Sequence, residues 1–298
     1  MHTRLVASLL LVLSGTLAGC RLLGVGGTVS QSVATSRQLW QQGLAAIERG
    51  QWDRAEPLLL QAVRACPTNA DARRSYAEAL WNRGARQEAV AQLAEALRNN
   101  PEDAGLLVRM AEMRLELGTV DTALEVANQA IDLDPKLAGA WAVRGRAMRA
   151  KKRPLEALAN SHRALGLAPS DRQIPVEIAE VYGELGQPQR ALATLQGVAD
   201  SYAPGEEPQR VLYLQGLAQT ALGRYGDAVE YLTAASTRAQ ATPEILFRLA
   251  EAELAAGQPT QAAASAREAL ALDPKHQPSR DLVERIEIAQ QPGGRIQR

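Results

Sequence analysis

Proline recurs in this chain at a fixed interval: Pro67, Pro101, Pro135 and Pro169 each fall 34 residues after the last. Glycine keeps the same interval at Gly50, Gly84 and Gly118, at Gly186 if Lys152 stands as the intervening member, and from Gly223 to Gly257. Between Gly186 and Gly223 the step is 37, so three residues are inserted, most simply in Ala203-Pro204-Gly205-Glu206-Glu207-Pro208. Five residues after each of these points comes alanine: Ala55, Ala89, Ala123, Ala157, Ala191, Ala228 and Ala262. Seven residues before each comes a small residue: Gly43, Ala77, Ala111, Gly145, Ala179, Gly216 and Ala250. A period of this length means a stack of small supersecondary units, none able to bury its apolar face without a neighbour.

Each unit reads as two helices of about a dozen residues, with apolar side chains at helical spacing such as Leu107, Met110, Ala111 and Leu115. Glycine after the first helix supplies the left-handed residue that ends it and turns the chain. Alanine or glycine at the crossing lets the two backbones approach, so Ala89→Phe should cost on the order of 1–3 kcal/mol by overpacking. Proline after the second helix stops it, and Asn69, Asp103 or Asp171 two residues later can cap the next.

The combination resembles the tetratricopeptide repeat family over about residues 36–276. Unit one carries Leu39-Trp40, Gly43, Gly50, Trp52, Ala55, Leu59, Ala62 and Pro67, close to the family's order of aromatic, small, glycine, aromatic, alanine, alanine, proline. The resemblance implies an all-α, right-handed superhelical α-solenoid of about seven hairpins: 36–69, 70–103, 104–137, 138–171, 172–208, 209–242 and 243–276. Residues 277–290, with Leu282, Val283, Ile286 and Ile288 beside charged residues, suit an amphipathic capping helix, and 291–298 a frayed, disordered tail. Unit four departs at Lys152 and Pro154, and unit six has Gln240 in place of its closing proline. The array is therefore expected to bend or hinge near 150–155 and 203–209.

The N-terminus carries Arg4, an apolar run from Leu5 to Leu13, and then Leu17-Ala18-Gly19-Cys20. That is a secretory signal over residues 1–19, too short to span a membrane. Its end resembles the lipobox of bacterial lipoproteins, which implies lipidation of Cys20 and a mature chain beginning there. An ordinary signal peptide with an incidental Cys20 is the alternative. The only other cysteine is Cys66, so acylation of Cys20 precludes an intrachain disulfide; Cys66 is a bystander or, alternatively, a reactive thiol. Arg21 follows the cysteine where inner-membrane lipoproteins tend to carry aspartate, which favours an outer-membrane anchor facing the periplasm. Residues 20–35 lack apolar periodicity and read as a flexible tether. The glycines at 24, 26 and 27 are not followed by the Gly-Lys-Ser/Thr of a phosphate loop.

Lysine plus arginine number 33 and aspartate plus glutamate 33, so the whole chain lacks the electrostatic footprint of a nucleic-acid binder. Neither His162 nor His276 lies near a patterned nucleophile or a metal-ligand spacing, and both read as surface residues. No enzyme, cofactor, metal or small-molecule substrate is expected.

In the tetratricopeptide family the first helix of each hairpin lines a concave groove. Following the phase of Trp40, Leu44 and Ile47 then gives Trp40, Trp81, Glu112, Arg146, Arg149, Glu180, Tyr213 and Phe247 as candidate groove residues. Exposed aromatics there are candidate hot spots, with packing between hairpins as the alternative. Glu112, Arg146 and Glu180 form a ladder 34 residues apart, read first as mutual neutralisation and second as recognition of a charged peptide. Trp141, Tyr182 and Tyr225 sit at family core positions. A clamp for a terminal carboxylate is not expected, because Trp40 and Leu44 occupy positions where such clamps carry lysine and asparagine. The function implied is a lipid-anchored scaffold of the bacterial cell envelope that binds partner proteins or peptides. The alternatives are a self-associating structural protein, such as a homodimer, or an accessory to an envelope enzyme.

Overall fold

A computed structural model describes residues 19–290, with side chains from residue 31 onward. The signal segment before residue 19, the side chain of Cys20 and the tail 291–298 lie outside the described residues. Every element among the described residues is an α-helix. They pair as α1 (Gly19–Glu48) with α2 (Trp52–Ala65) and α3 (Ala70–Asn82) with α4 (Arg86–Asn99), and Ala111 of α5 (Ala104–Glu116) packs with Ala127 of α6 (Val120–Leu133). Next come α7 (Ala138–Ala150) with α8 (Pro154–Leu167), α9 (Gln173–Glu184) with α10 (Pro188–Ala199), and α11 (Gln209–Ala221) with α12 (Tyr225–Arg238). The last pair is α13 (Pro243–Ala255) with α14 (Pro259–Leu272), and α15 (Gln277–Gln290) follows alone.

The chain divides into two compact units, Met1–Leu106 and Leu107–Arg298. In the first, α1 packs on α2 and α3, and α3 on α4. In the second, each helix from α6 packs on its successor along the chain, and first helices also meet next-door first helices, as α7 meets α9 and α9 meets α11.

The turn inside each hairpin follows from one left-handed residue. Glycines 50, 84, 118, 186, 223 and 257 have φ between +67° and +87°, and Lys152 takes φ of 59° as the single non-glycine among the described residues to do so. Its backbone bonds match those of a glycine turn. Lys152 N–H reaches Arg149 O at 2.9 Å and Arg153 N–H reaches Met148 O at 3.0 Å, as Gly186 and Gln187 reach Gly183 and Tyr182. The departure at unit four thus leaves the turn intact, and Pro154 opens α8 at a position where no N–H is needed.

The crossings are as close as the small residues allow. A Cβ on Gly216 would lie 2.5 Å from Leu232 Cγ. Ala77, Ala111, Ala179 and Ala250 at the equivalent positions are buried, as is every member of the alanine series from Ala55 to Ala262. Asn69 and Asp103 accept backbone N–H bonds from Ala72 and Leu106 at 3.1 and 2.9 Å and cap α3 and α5, whereas Asp171 lies one residue before the N-cap Arg172 of α9 and accepts from Gln173 at 2.8 Å.

Residues 20–35, expected as a tether, are instead helical and continuous with α1. The segment contains no proline, and its glycines lower helix propensity, by about 1 kcal/mol each, without removing a backbone donor. Ser36 supplies an anchor from which the helix can propagate. Its hydroxyl is buried, donates to Ala62 O at 2.8 Å and accepts from Asn69 Nδ2 at 3.1 Å.

Candidate functional site

The candidate residues fall into separate settings. In the first unit the Trp40 indole N–H donates to Ser75 Oγ at 2.9 Å, pinning α1 to α3, and the Arg86 guanidinium lies 5.3 Å from the Trp81 ring centroid. Both tryptophans are partly buried.

In the second unit the charged candidates neutralise one another. Glu112 accepts from Arg109 at 3.1 Å and from Arg146 at 2.9 Å. Arg146 does not continue the ladder to Glu180; its Nε lies 3.8 Å from Glu177 instead. Glu180 pairs with Arg149 and with Arg210, whose Nε donates at 2.9 Å, and Arg149 also reaches Glu184 at 2.7 Å. Glu177 is buried and its Oε2 lacks a hydrogen-bond partner. Burial pushes its carboxyl above the usual range, with Arg146 pulling the other way.

Arg149, Glu180 and Tyr213 meet at one place, a cleft of about 480 Å³ between α9, α10 and α11. Leu214, Leu217 and Tyr213 of α11 form one wall, and Ala179 and Gly183 of α9 another. Leu195 of α10 also lines it, and Arg149, Glu180 and Glu184 supply its charge. The space exists because of Gly183. In the same helical phase other units carry Trp81, Leu115, Arg149 and Leu254, whereas a Cβ on Gly183 would meet nothing within 4 Å. Tyr213 packs against Leu232 and Leu249 and is partly exposed. Burial pushes its phenol up, and the Glu244 carboxylate adds to the shift.

Phe247, expected beside Tyr213 on an open face, is a core residue. It is 8% exposed and packs with Ala250, Ala262, Ala266, Leu282 and Ile286. The reason is α15, whose Leu282 and Ile286 cover that part of α13. His276, expected at the surface, is partly buried there too. Its ring meets Phe247 edge-on at 5.7 Å and its Nδ1 lies 2.8 Å from Ser279 Oγ. Tyr225, expected in the core, is instead 37% exposed at the first residue of α12. Trp141 and Tyr182 are partly buried, and His162 is exposed, 3.3 Å from the Tyr182 hydroxyl. Leu214 and Leu195 lie outside the expected groove phase, whereas Gly183 shares it; the signal for the cleft is the loss of a large side chain at 183, where most other units carry one.

Among the described residues no group of three or more histidine, cysteine, aspartate or glutamate side chains could hold a metal ion. None of the described helices is long and apolar enough to cross a membrane.

The sequence profile of the tetratricopeptide repeat matches residues 41–104, 80–138, 176–240 and 213–276. The unmatched stretch between 138 and 176 contains Lys152. No curated protein sequence matches the chain significantly. Among solved structures, a tetratricopeptide repeat protein from Parabacteroides merdae is similar with a TM-score of 0.64 at 16% identity, covering 85% of this chain and 99% of that one. PilW, described as a widely conserved type IV pilus biogenesis factor, gives 0.65 at 19%, covering 72% and 98%. YrrB, described as having an unusual peptide-binding site, gives 0.50 at 18%, covering 64% and 97%.

Proposed function

The chain belongs to the tetratricopeptide repeat family, and we propose that it is a lipid-anchored adapter of the bacterial cell envelope that seats a partner segment in the α9–α11 cleft. Repeats of this family mediate protein–protein contacts, and the fold is in general a non-catalytic scaffold. The likeness to PilW and YrrB is one of fold, so the proposal stands on this chain's own residues.

The observation that carries it is the gap at Gly183. An apolar cleft left by a missing side chain, with Tyr213, Leu214 and Leu217 partly exposed, offers purchase to an apolar side chain of a partner. The surrounding Arg149, Arg210, Glu180 and Glu184 pair internally, so they frame the cleft without leaving a large uncompensated charge. A lipid on Cys20 would confine the chain to the outer membrane's periplasmic face, where raised local concentration lets a modest groove affinity suffice.

Two measurements test this. A photo-crosslinking residue in place of Leu217 should trap a partner polypeptide in membranes, whereas one in place of exposed Ile288 on α15 should not trap the same band. Equal capture at both positions contradicts the site. Cys20→Ala should move the protein from the membrane to the soluble fraction; retention at the membrane contradicts the anchor and leaves the cleft standing.

A further inference from the structure

The opposite side of α11 holds a second cleft of about 610 Å³, walled by α10, α12 and the loop with the three-residue insertion. Leu212, Gln215 and Gln219 face it, whereas Tyr213, Leu214 and Leu217, about 100° per residue away around the helix, line the first cleft. The loop is tied to the end of α12. Arg238 donates to Gly205 O, its Nη2 lies 3.3 Å from Glu207 Oε2, and Glu207 Oε1 accepts from Gly205 N–H at 3.1 Å.

The floor of this cleft is unusual for a packed helix. Gln215 is 1% and Gln219 6% exposed, and the Oε1 of each is buried with no hydrogen-bond partner. An unsatisfied buried acceptor destabilises the fold unless something outside the chain supplies its donor. Neighbouring units place aliphatic Ile178 and Leu249 at the position of Gln215, so packing does not demand an amide there. The two glutamines are four residues apart and share one face of α11. Asp227 and Glu230, three apart on α12, add two carboxylates to the wall with no ion pair among the described residues. Tyr231, Leu212 and Ala234 supply apolar surface beside them.

The cleft's one cation, Arg238, is engaged by Glu207 and Gly205, which leaves the Gln215 and Gln219 acceptors without donors, Asp227 and Glu230 without ion pairs, and apolar walls beside them; together these match one kind of group. We propose that this cleft binds an arginine side chain of a partner polypeptide, its methylene stem against Leu212 and Tyr231 and its guanidinium toward Gln215, Gln219, Asp227 and Glu230. A guanidinium offers five N–H donors in a planar fork and has no acceptor to be left unpaired. The site does not depend on the α9–α11 cleft.

The test uses the full chain in detergent and the blocked tripeptides acetyl-Gly-Arg-Gly-amide, its lysine and citrulline analogues, and its glutamate analogue. The side-chain amide signals of Gln215 and Gln219 in ¹H–¹⁵N spectra should shift and saturate with the arginine peptide. They should respond less to lysine and citrulline, and not to glutamate. Gln215→Leu/Gln219→Leu should reduce affinity for the arginine peptide by roughly tenfold or more, while its melting temperature equals or exceeds that of the wild type. Should that variant fail to fold, Asp227→Asn/Glu230→Gln, altering exposed side chains, should weaken arginine binding several-fold by itself. Equal binding of the glutamate peptide, or unchanged arginine affinity in whichever of these variants folds, overturns the proposal.

Discussion

Tyr213 on α11 and Phe247 on α13 are 34 residues apart and occupy the same place in their hairpins, yet one lines an open cleft and the other lies in the core. Around Tyr213 the neighbouring first helix carries Gly183, which leaves space. Around Phe247 the chain supplies α15, and Leu282 and Ile286, 1% and 2% exposed, close over the ring. Register fixes which side of a helix a residue occupies. What lies above that side is decided by residues outside the repeat: a missing side chain in one region, an added helix in the other.

The largest expected effect comes from exchanging these two aromatics for alanine. Phe247→Ala should destabilise by about 3–5 kcal/mol, because it empties a closed core. Tyr213→Ala, half open to the cleft, should cost less than about 2 kcal/mol. Chemical denaturation of both variants checks this, and equal costs would break the contrast.

Next is Gly216, at a closed crossing, whereas Gly183 faces open space. Gly216→Val drives atoms into Leu232 and should cost about 1–3 kcal/mol in the same assay. A cost near zero would mean that the α11–α12 crossing is looser than the register argument requires.

A buried carboxyl on the covered helix sharpens the comparison further. Glu253 of α13 is 7% exposed, its Oε2 is unpaired, and burial raises its pKa above 4.5, opposed by Ser265. The native state therefore holds this proton more tightly than the unfolded chain. The stabilisation is fully present below the unfolded value and is lost as pH rises through the folded one. Glu253→Gln should thus raise stability at pH 7 by about 1 kcal/mol, and the gain should shrink in denaturation curves taken toward pH 4.5. A gain independent of pH would assign it to something other than the charge.

The smallest effect concerns the turn at Lys152. An L-residue in the left-handed region is strained by about 1–2 kcal/mol, partly offset by the greater unfolded freedom of glycine, so Lys152→Gly should stabilise by up to about 1 kcal/mol. A loss of stability would show that the lysine side chain contributes more than its strained backbone costs.

The hairpins were legible because each rests on local chemistry that repeats: left-handed turn residues, alanine at the crossings, and asparagine or aspartate at helix starts. Even the lysine at 152 could be assigned to its turn by phase alone. The site was legible only in part. Arg149, Glu180 and Tyr213 were marked by phase and do meet. Phe247 was misread because whether its face stays open depends on how α15 docks, a tertiary fact that no spacing within the repeat encodes. The tether at 20–35 was misread for a related reason. Glycine- and serine-containing sequence without apolar periodicity suggests loop, but a helix anchored at Ser36 by two hydrogen bonds can extend through it. Arg146 turned to Glu177 because helical phase specifies a face and leaves the choice among neighbouring carboxylates to side-chain reach.

Gly183→Leu addresses the central claim most directly, measured as melting temperature together with affinity for the partner trapped at position 217. The added side chain has room and replaces a helical glycine, so stability should rise by up to about 1 kcal/mol while partner affinity falls roughly tenfold or more. A variant that is equally stable or more so and binds its partner as tightly as the wild type would contradict the account.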